Sequence, residues 1–208
     1  PSGDLGPQRL AVSRLTGMLP SISAAVAKAK DWTVAEYLAM EQQSPEKHEF
    51  FNGEIFAMAG ASPEHNLIVS ALIITLGGAL RGKCRVFPSD QRLLLPTGLY
   101  TYADVSLVCG APMFNEDSPR ALINPEAIFE VLSQTTESYD RGEKFASYRT
   151  LPGLTDYVLL SQTKVLVEHF VRQADGGWLM HALGKGARLR LPCGEIAVDD
   201  LYLEVDLS

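Results

Sequence analysis

The chain has 208 residues, 46% of them hydrophobic, and 25 Asp and Glu outweigh 18 Lys and Arg to give a formal net charge of −7. The apolar share suffices for a buried core and excludes an intrinsically disordered chain. The acidic balance excludes a protein that coats nucleic acid through general cationic excess, because sequence-independent affinity comes from Lys and Arg on phosphates. No apolar run approaches the ~20 residues that span a bilayer, so the chain reads as cytoplasmic, with no membrane partner. Its three cysteines, Cys84, Cys109 and Cys193, are odd in number and widely spaced, without a C-x-x-C pair. They predict a reducing compartment, with neither a disulfide framework nor a cysteine zinc site.

Residues 1–30 are small, polar and irregular and read as an N-terminal extension, with Met18 an alternative start; the ordered domain is expected over 31–208. Thr33 and Glu36 form a capping box for a short helix, TVAEYLAMEQQ, with Val34, Tyr37 and Leu38 on one face. HEFFNGEIFAMAG then reads as a hairpin, since Asn52-Gly53 tolerates the positive φ of a type I′ turn. Ser62-Pro63 caps an apolar helix to about Leu80, for which Leu67, Ala71, Ile74 and Leu76 or Gly78 are the expected buried positions. Strands follow at Cys84 to Leu95 (broken by Pro88), Tyr102 to Cys109 and Ala127 to Leu132. A second helix is expected over Thr136 to Arg149. After it come the strand DYVLL and a ribbon of KVLVEHFVR and GWLMHAL turning at Asp175-Gly176-Gly177, with Phe170, Trp178 and Leu179 packing it on the domain or on a second subunit. This order predicts an α/β domain with a β-rich C-terminal part.

Two acids interrupt apolar strands: Asp104 opens YADVSLVC and Glu130 sits within AIFEVL. An unpaired buried carboxylate is costly. If the strands are neighbours, alternation lets the two meet, and a paired set calls for a raised pKa or a hard divalent cation such as Mg²⁺. The other reading is that each acid ends its strand at the solvent edge. Asp140, Lys144 and Tyr148 recur at four-residue spacing on one helical face. There the Lys144 ammonium either reaches the acids or forms a surface ion pair, Asp140 with Glu143 suits a helix cap, and Tyr148 suits the core. His169 and His181, on the two arms of the ribbon, carry no assigned role. There is no G-x-S-x-G, H-E-x-x-H, Walker A or dinucleotide motif.

HEFFNGEIFAMAGASPEHNLIV, YADVSLVCG and EVLSQTTESYDRGEKFASY, in this order, resemble the Uma-type family of restriction-endonuclease-like proteins, within the PD-(D/E)XK nuclease superfamily; the similarity covers about Trp32 to Leu160. The resemblance implies a mixed β-sheet flanked by helices and a metal-dependent endonuclease acting on phosphodiester bonds, with DNA as substrate and a homodimer as the working form. Asp104 matches the aspartate of the PD element and Glu130 the second acid, which makes both expected ligands of Mg²⁺ or Mn²⁺. Glu49 matches a further acid, and His65 and Asp90 lie in matching blocks as outer groups. Ala103 stands where the family pattern has proline, and Leu132 where it has lysine, so the resemblance hands the lysine's work to Lys144. A nuclease scaffold without activity, serving as a binding or regulatory module, is the competing reading, supported by the acidic charge and the missing strand lysine.

Overall fold

The computed structural model describes residues 31–58, 60–117 and 119–207; the expected extension over 1–30 lies outside them. Helix α1 (Val34–Glu41) opens with the expected reciprocal cap: the Thr33 hydroxyl accepts from the Glu36 N–H and the Glu36 carboxylate from the Thr33 N–H. Tyr37 and Leu38 are buried, but Val34 is exposed. Strands β1 (His48–Phe51) and β2 (Glu54–Ala57) form the hairpin, and positive φ at both Asn52 (49°) and Gly53 (83°) is the I′ signature. They join β4 (Arg92–Leu94) and β5 (Tyr100–Tyr102) in a four-stranded sheet of order β2-β1-β5-β4.

The main sheet has six strands, in the order β10-β9-β8-β7-β6-β3. These are β3 (Cys84–Pro88), β6 (Val105–Cys109), β7 (Ala127–Leu132), β8 (Asp156–Ser161), β9 (Val167–Arg172) and β10 (Trp178–Leu183). Only β7 and β8 run parallel, and the crossover between them carries α3, residues 137–148. The ends of α3, Glu137–Tyr139 and Phe145–Tyr148, are α-helical, and its middle, Asp140–Lys144, is π-helical. The expected ribbon is β9 with β10, and β9 pairs with β8, so it extends the main sheet. Phe170 and Trp178 pack with Phe145 beneath it, whereas Leu179 is exposed.

Helix α2 (Pro63–Ala79), capped by the Ser62 hydroxyl, covers one face of the main sheet. Its buried side chains are Ile68, Leu72 and Leu76, against Val105, Leu107, Phe129 and Val131. Leu67 and Ile74 are exposed instead, so apart from Leu76 the buried stripe departs from the expected one. The helix is apolar nearly all round, which leaves the sequence no amphipathic stripe to mark the inner face. On the other face Ile128, Leu132, Tyr148, Tyr157 and Leu159 form a second core under α3. A closing hairpin of β11 (Arg188–Leu191) and β12 (Gly194–Ala197), not singled out in the sequence, packs against α2.

The cysteine expectation needs correcting. Cys84 and Cys109 are directly opposed across β3 and β6 and form a disulfide, while Cys193 is free. Spacing along the chain carries no information about a cross-strand register set by antiparallel pairing. Among the described residues no helix is long and apolar enough to cross a membrane.

Candidate active site

Strands β6 and β7 are antiparallel neighbours with Val105 opposite Phe129, which sets Asp104 beside Glu130. Asp104 Oδ2 accepts from the Val131 N–H at 2.7 Å, and the Asp104 N–H points at Glu130 Oε2 at 3.4 Å. Alternation along β7 turns Glu130, with Ile128 and Leu132, toward α3. There Lys144 Nζ lies 2.9 Å from Glu130 Oε1, 3.6 Å from Asp140 Oδ1 and 3.9 Å from Glu49 Oε1, and donates to the Tyr102 carbonyl at 3.2 Å.

The π-helical middle of α3 turns both Asp140 and Lys144 inward, where both are buried. A π-turn inserts an extra residue into a helix and recurs at functional sites. Asp140 is therefore no helix cap: it lies inside the helical run and faces the lysine. Tyr148 is core and site at once, fully buried and donating to Glu130 Oε1 at 2.8 Å.

Glu49 enters from β1, fixed by the Thr101 hydroxyl on Oε1 and the Tyr139 hydroxyl on Oε2. His65, in the first turn of α2, places Nε2 3.1 Å from Asp104 Oδ1. Asp90 is not in the cluster; it is exposed on a turn and pairs with Lys47 at 2.6 Å. Thr101 and Tyr139 were missed in the sequence, since no periodicity ties them to the acids.

Asp104, Glu130, Glu49, Asp140, Lys144 and His65 all line one cleft of about 1400 Å³. Its electrostatics are lopsided: Glu46, Glu49, Asp104, Glu130, Asp140 and Glu143 line it against Lys47, Lys144 and the His65 imidazole. Burial pushes the Glu130 carboxyl up to about 8, and although Lys144 opposes this, Asp104 and Asp140 add to it. Burial likewise raises Asp140. Lys144 is depressed by burial, but Glu130, Glu49 and Asp140 more than offset that and hold it charged, well above its ordinary value. Burial acts against the His65 cation, but the hydrogen bond and the charge of Asp104, with smaller help from the Val131 backbone and Asp140, together outweigh it, so His65 is raised as well.

This donor set fits a hard divalent cation. Asp104 and Glu130 offer oxygen, the acids of the cleft outnumber its cationic groups, and among the described residues Glu130 Oε2 has no close donor beyond the long contact at 3.4 Å. Among the described residues no trio of carboxylates and histidines brings its ligand atoms within 4.8 Å. Such an arrangement suits Mg²⁺ or Mn²⁺, which bind through one or two carboxylates and otherwise to water and substrate oxygens.

Comparison with known proteins gives the family and the fold. Residues 34–197 match the family model described as "Uma2: Putative restriction endonuclease". Two Synechocystis proteins, sll1609 and slr1290, both named only as uncharacterised, are 39% identical over 167 residues (79% of this chain, 94% of theirs) and 37% identical over 171 residues (80% and 89%). A crystal structure from Anabaena variabilis, titled as a putative nuclease belonging to DUF820, superposes with a TM-score of 0.63 at 15% identity. It covers 80% of this chain and 97% of its own, a likeness of fold.

Proposed function

The chain belongs to the Uma2 family and has a restriction-endonuclease-like fold, and from that premise we propose that it is a divalent-metal-dependent endonuclease hydrolysing phosphodiester bonds in DNA. What carries this reading is a single cleft gathering Asp104 and Glu130 from adjacent strands with Lys144 2.9 Å from Glu130. Glu49 lies alongside. Dispersed acids, or a lysine spent on a surface carboxylate, would have favoured the binding-module alternative.

In this reading Asp104 and Glu130 hold Mg²⁺, or Mn²⁺ in its place, which when bound activates water and neutralises charge on the scissile phosphate. The protein's own groups keep that pair in place. The Val131 N–H and His65 fix the two oxygens of Asp104, and Tyr148 and Lys144 both hold Glu130 Oε1, leaving Oε2 turned toward Asp104. Lys144 stays cationic because three acids surround it; it positions Glu130 and adds positive charge beside the phosphate site, the work of the strand lysine that Leu132 replaces. Glu49 and Asp140 hold that ammonium from behind. Two cuts in a duplex need two sites, so we include a homodimer in the reading, and a cytoplasmic place of action with it.

The test is calorimetric titration of Mg²⁺ and Mn²⁺ together with nicking of supercoiled plasmid, for the parent, Asp104→Asn and Glu130→Gln. Loss of both binding and nicking in the variants is expected. Nicking that survives Asp104→Asn, or a folded parent that binds neither ion, would remove the enzyme reading and leave a nuclease scaffold that binds a partner.

A further inference from the structure

All three cysteines of the chain converge at the opposite end of β6 from Asp104. Cys84 begins β3, Cys109 ends β6 directly across from it, and Cys193 lies in the turn between β11 and β12. Their sulfur atoms all lie within 4.8 Å of one another, and each residue is partly accessible. Close packing brings the turn there: a Cβ on Gly194, next to Cys193, would sit only 2.7 Å from the Leu80 side chain at the end of α2, so the hairpin is pressed onto the helix just ahead of Cys84. The disulfide uses two of the sulfurs and leaves Cys193 beside them without a covalent partner.

We propose that the reduced chain binds one thiophilic d¹⁰ cation of the Zn²⁺ type through Cys84, Cys109 and Cys193, and that this binding and the Cys84–Cys109 disulfide exclude each other. Zn–S bonds of about 2.3 Å in tetrahedral array put thiolates less than ~4 Å apart, so the three sulfurs need only small shifts to close around an ion. Three sulfur donors select a soft ion and reject Mg²⁺, the reverse of the carboxylate cleft. The fourth position is left to water or an outside ligand.

Atoms and electrons balance with a dithiol as reductant. It delivers two electrons and two protons to the Cys84–Cys109 bond and departs as its own disulfide; one Zn²⁺ then displaces three thiol protons. Direct attack by Cys193 on the disulfide is the weaker alternative, because burial pushes its thiol up and leaves little thiolate at neutral pH. The two states differ mechanically. The disulfide joins only β3 to β6, whereas the metal also ties the β11–β12 hairpin to them.

The test uses the full chain, reduced anaerobically, freed of reductant and titrated with Co²⁺ and then Zn²⁺. The expected result is one equivalent of Co²⁺ with a near-ultraviolet sulfur-to-cobalt charge-transfer band, displaced by Zn²⁺ and absent after oxidation. Cys193→Ser, which keeps the disulfide pair, should weaken binding by about 100-fold or more; melting of this variant without metal verifies its fold. Co²⁺ in the carboxylate cleft gives no such band, so a failed nuclease assignment would not disturb this result. A folded, reduced parent without the band overturns the proposal. So does an affinity unchanged in Cys193→Ser, and so does peptide mapping that finds Cys193 in mixed disulfides in place of bound metal.

Discussion

Two buried acid–base groups lie on neighbouring strands of the main sheet, and they are built differently. At one end of β8, Asp156 meets His169 of β9 at 2.6 Å, its second oxygen taking the Thr155 hydroxyl; one acid faces one imidazole. Near the opposite end of the parallel neighbour β7, Glu130 shares a single lysine with Glu49 and Asp140, beside Asp104, and the group opens onto the cleft. Burial of an acid with its partner is therefore no sign of function in itself. A surplus of one sign, exposed to a cavity, is what marks a place for an incoming charge.

Lysine removal should separate the two groups most sharply. Lys144→Ala leaves three buried carboxylates without their cation and is expected to cost on the order of 5 kcal/mol, read by urea unfolding. Added Mg²⁺ should raise the melting temperature of this variant more than that of the parent, since the ion supplies the missing charge. His169→Ala is expected to cost about 2 kcal/mol by taking one of two side-chain partners from buried Asp156 and leaving it the Thr155 hydroxyl, with Mg²⁺ affinity unchanged. A change in metal affinity with His169→Ala would erase the distinction.

Titration gives a smaller effect. The Glu130 carboxyl is raised to about 8 from 4.5 in the folded chain. The folded state then holds a proton that the unfolded chain has lost, so the metal-free protein should lose stability as pH rises between those values. The slope is at most ~1.4 kcal/mol per pH unit for one proton. Saturating Mg²⁺ should flatten this slope and Glu130→Gln should reduce it, with the raised Asp140 and His65 supplying what is left; a metal-free slope that Glu130→Gln leaves unchanged would show Glu130 ionised throughout. The smallest effect belongs to the outer face of the same helix, where Arg141 bridges Glu137 at 2.8 Å and Glu168. Arg141→Ala should cost less than ~1 kcal/mol and leave the cleft untouched.

What the sequence revealed divides along the same physical line. Asp104 and Glu130 stood out as acids in two apolar strands, and Lys144 with Asp140 and Tyr148 by helical spacing, all of them local patterns; that the two strands are neighbours came only from the sheet. The I′ hairpin and both N-caps were equally local. The Cys84–Cys109 bond, the Thr101 and Tyr139 grip on Glu49 and the approach of Cys193 depend on long-range register, which no short window contains. Asp90 misled because it lies in a block resembling the family while its side chain faces solvent. Helix α2 misled for the opposite reason: with apolar residues all round, its composition favours no one side.

The π-turn in α3 resolves a problem of angular phase. Side chains four residues apart on an α-helix drift by about 40° per step, which would carry Tyr148 about 80° away from Asp140. A wider i→i+5 turn drifts the other way, by roughly 30° over the step from Asp140 to Lys144. The two drifts nearly cancel, so Asp140, Lys144 and Tyr148 form one straight file along the helix facing Glu130. The helix thus works as a vernier: the loss of any single residue between Asp140 and Lys144 would shorten it by only ~1.5 Å yet rotate one half of the file out of line with the other.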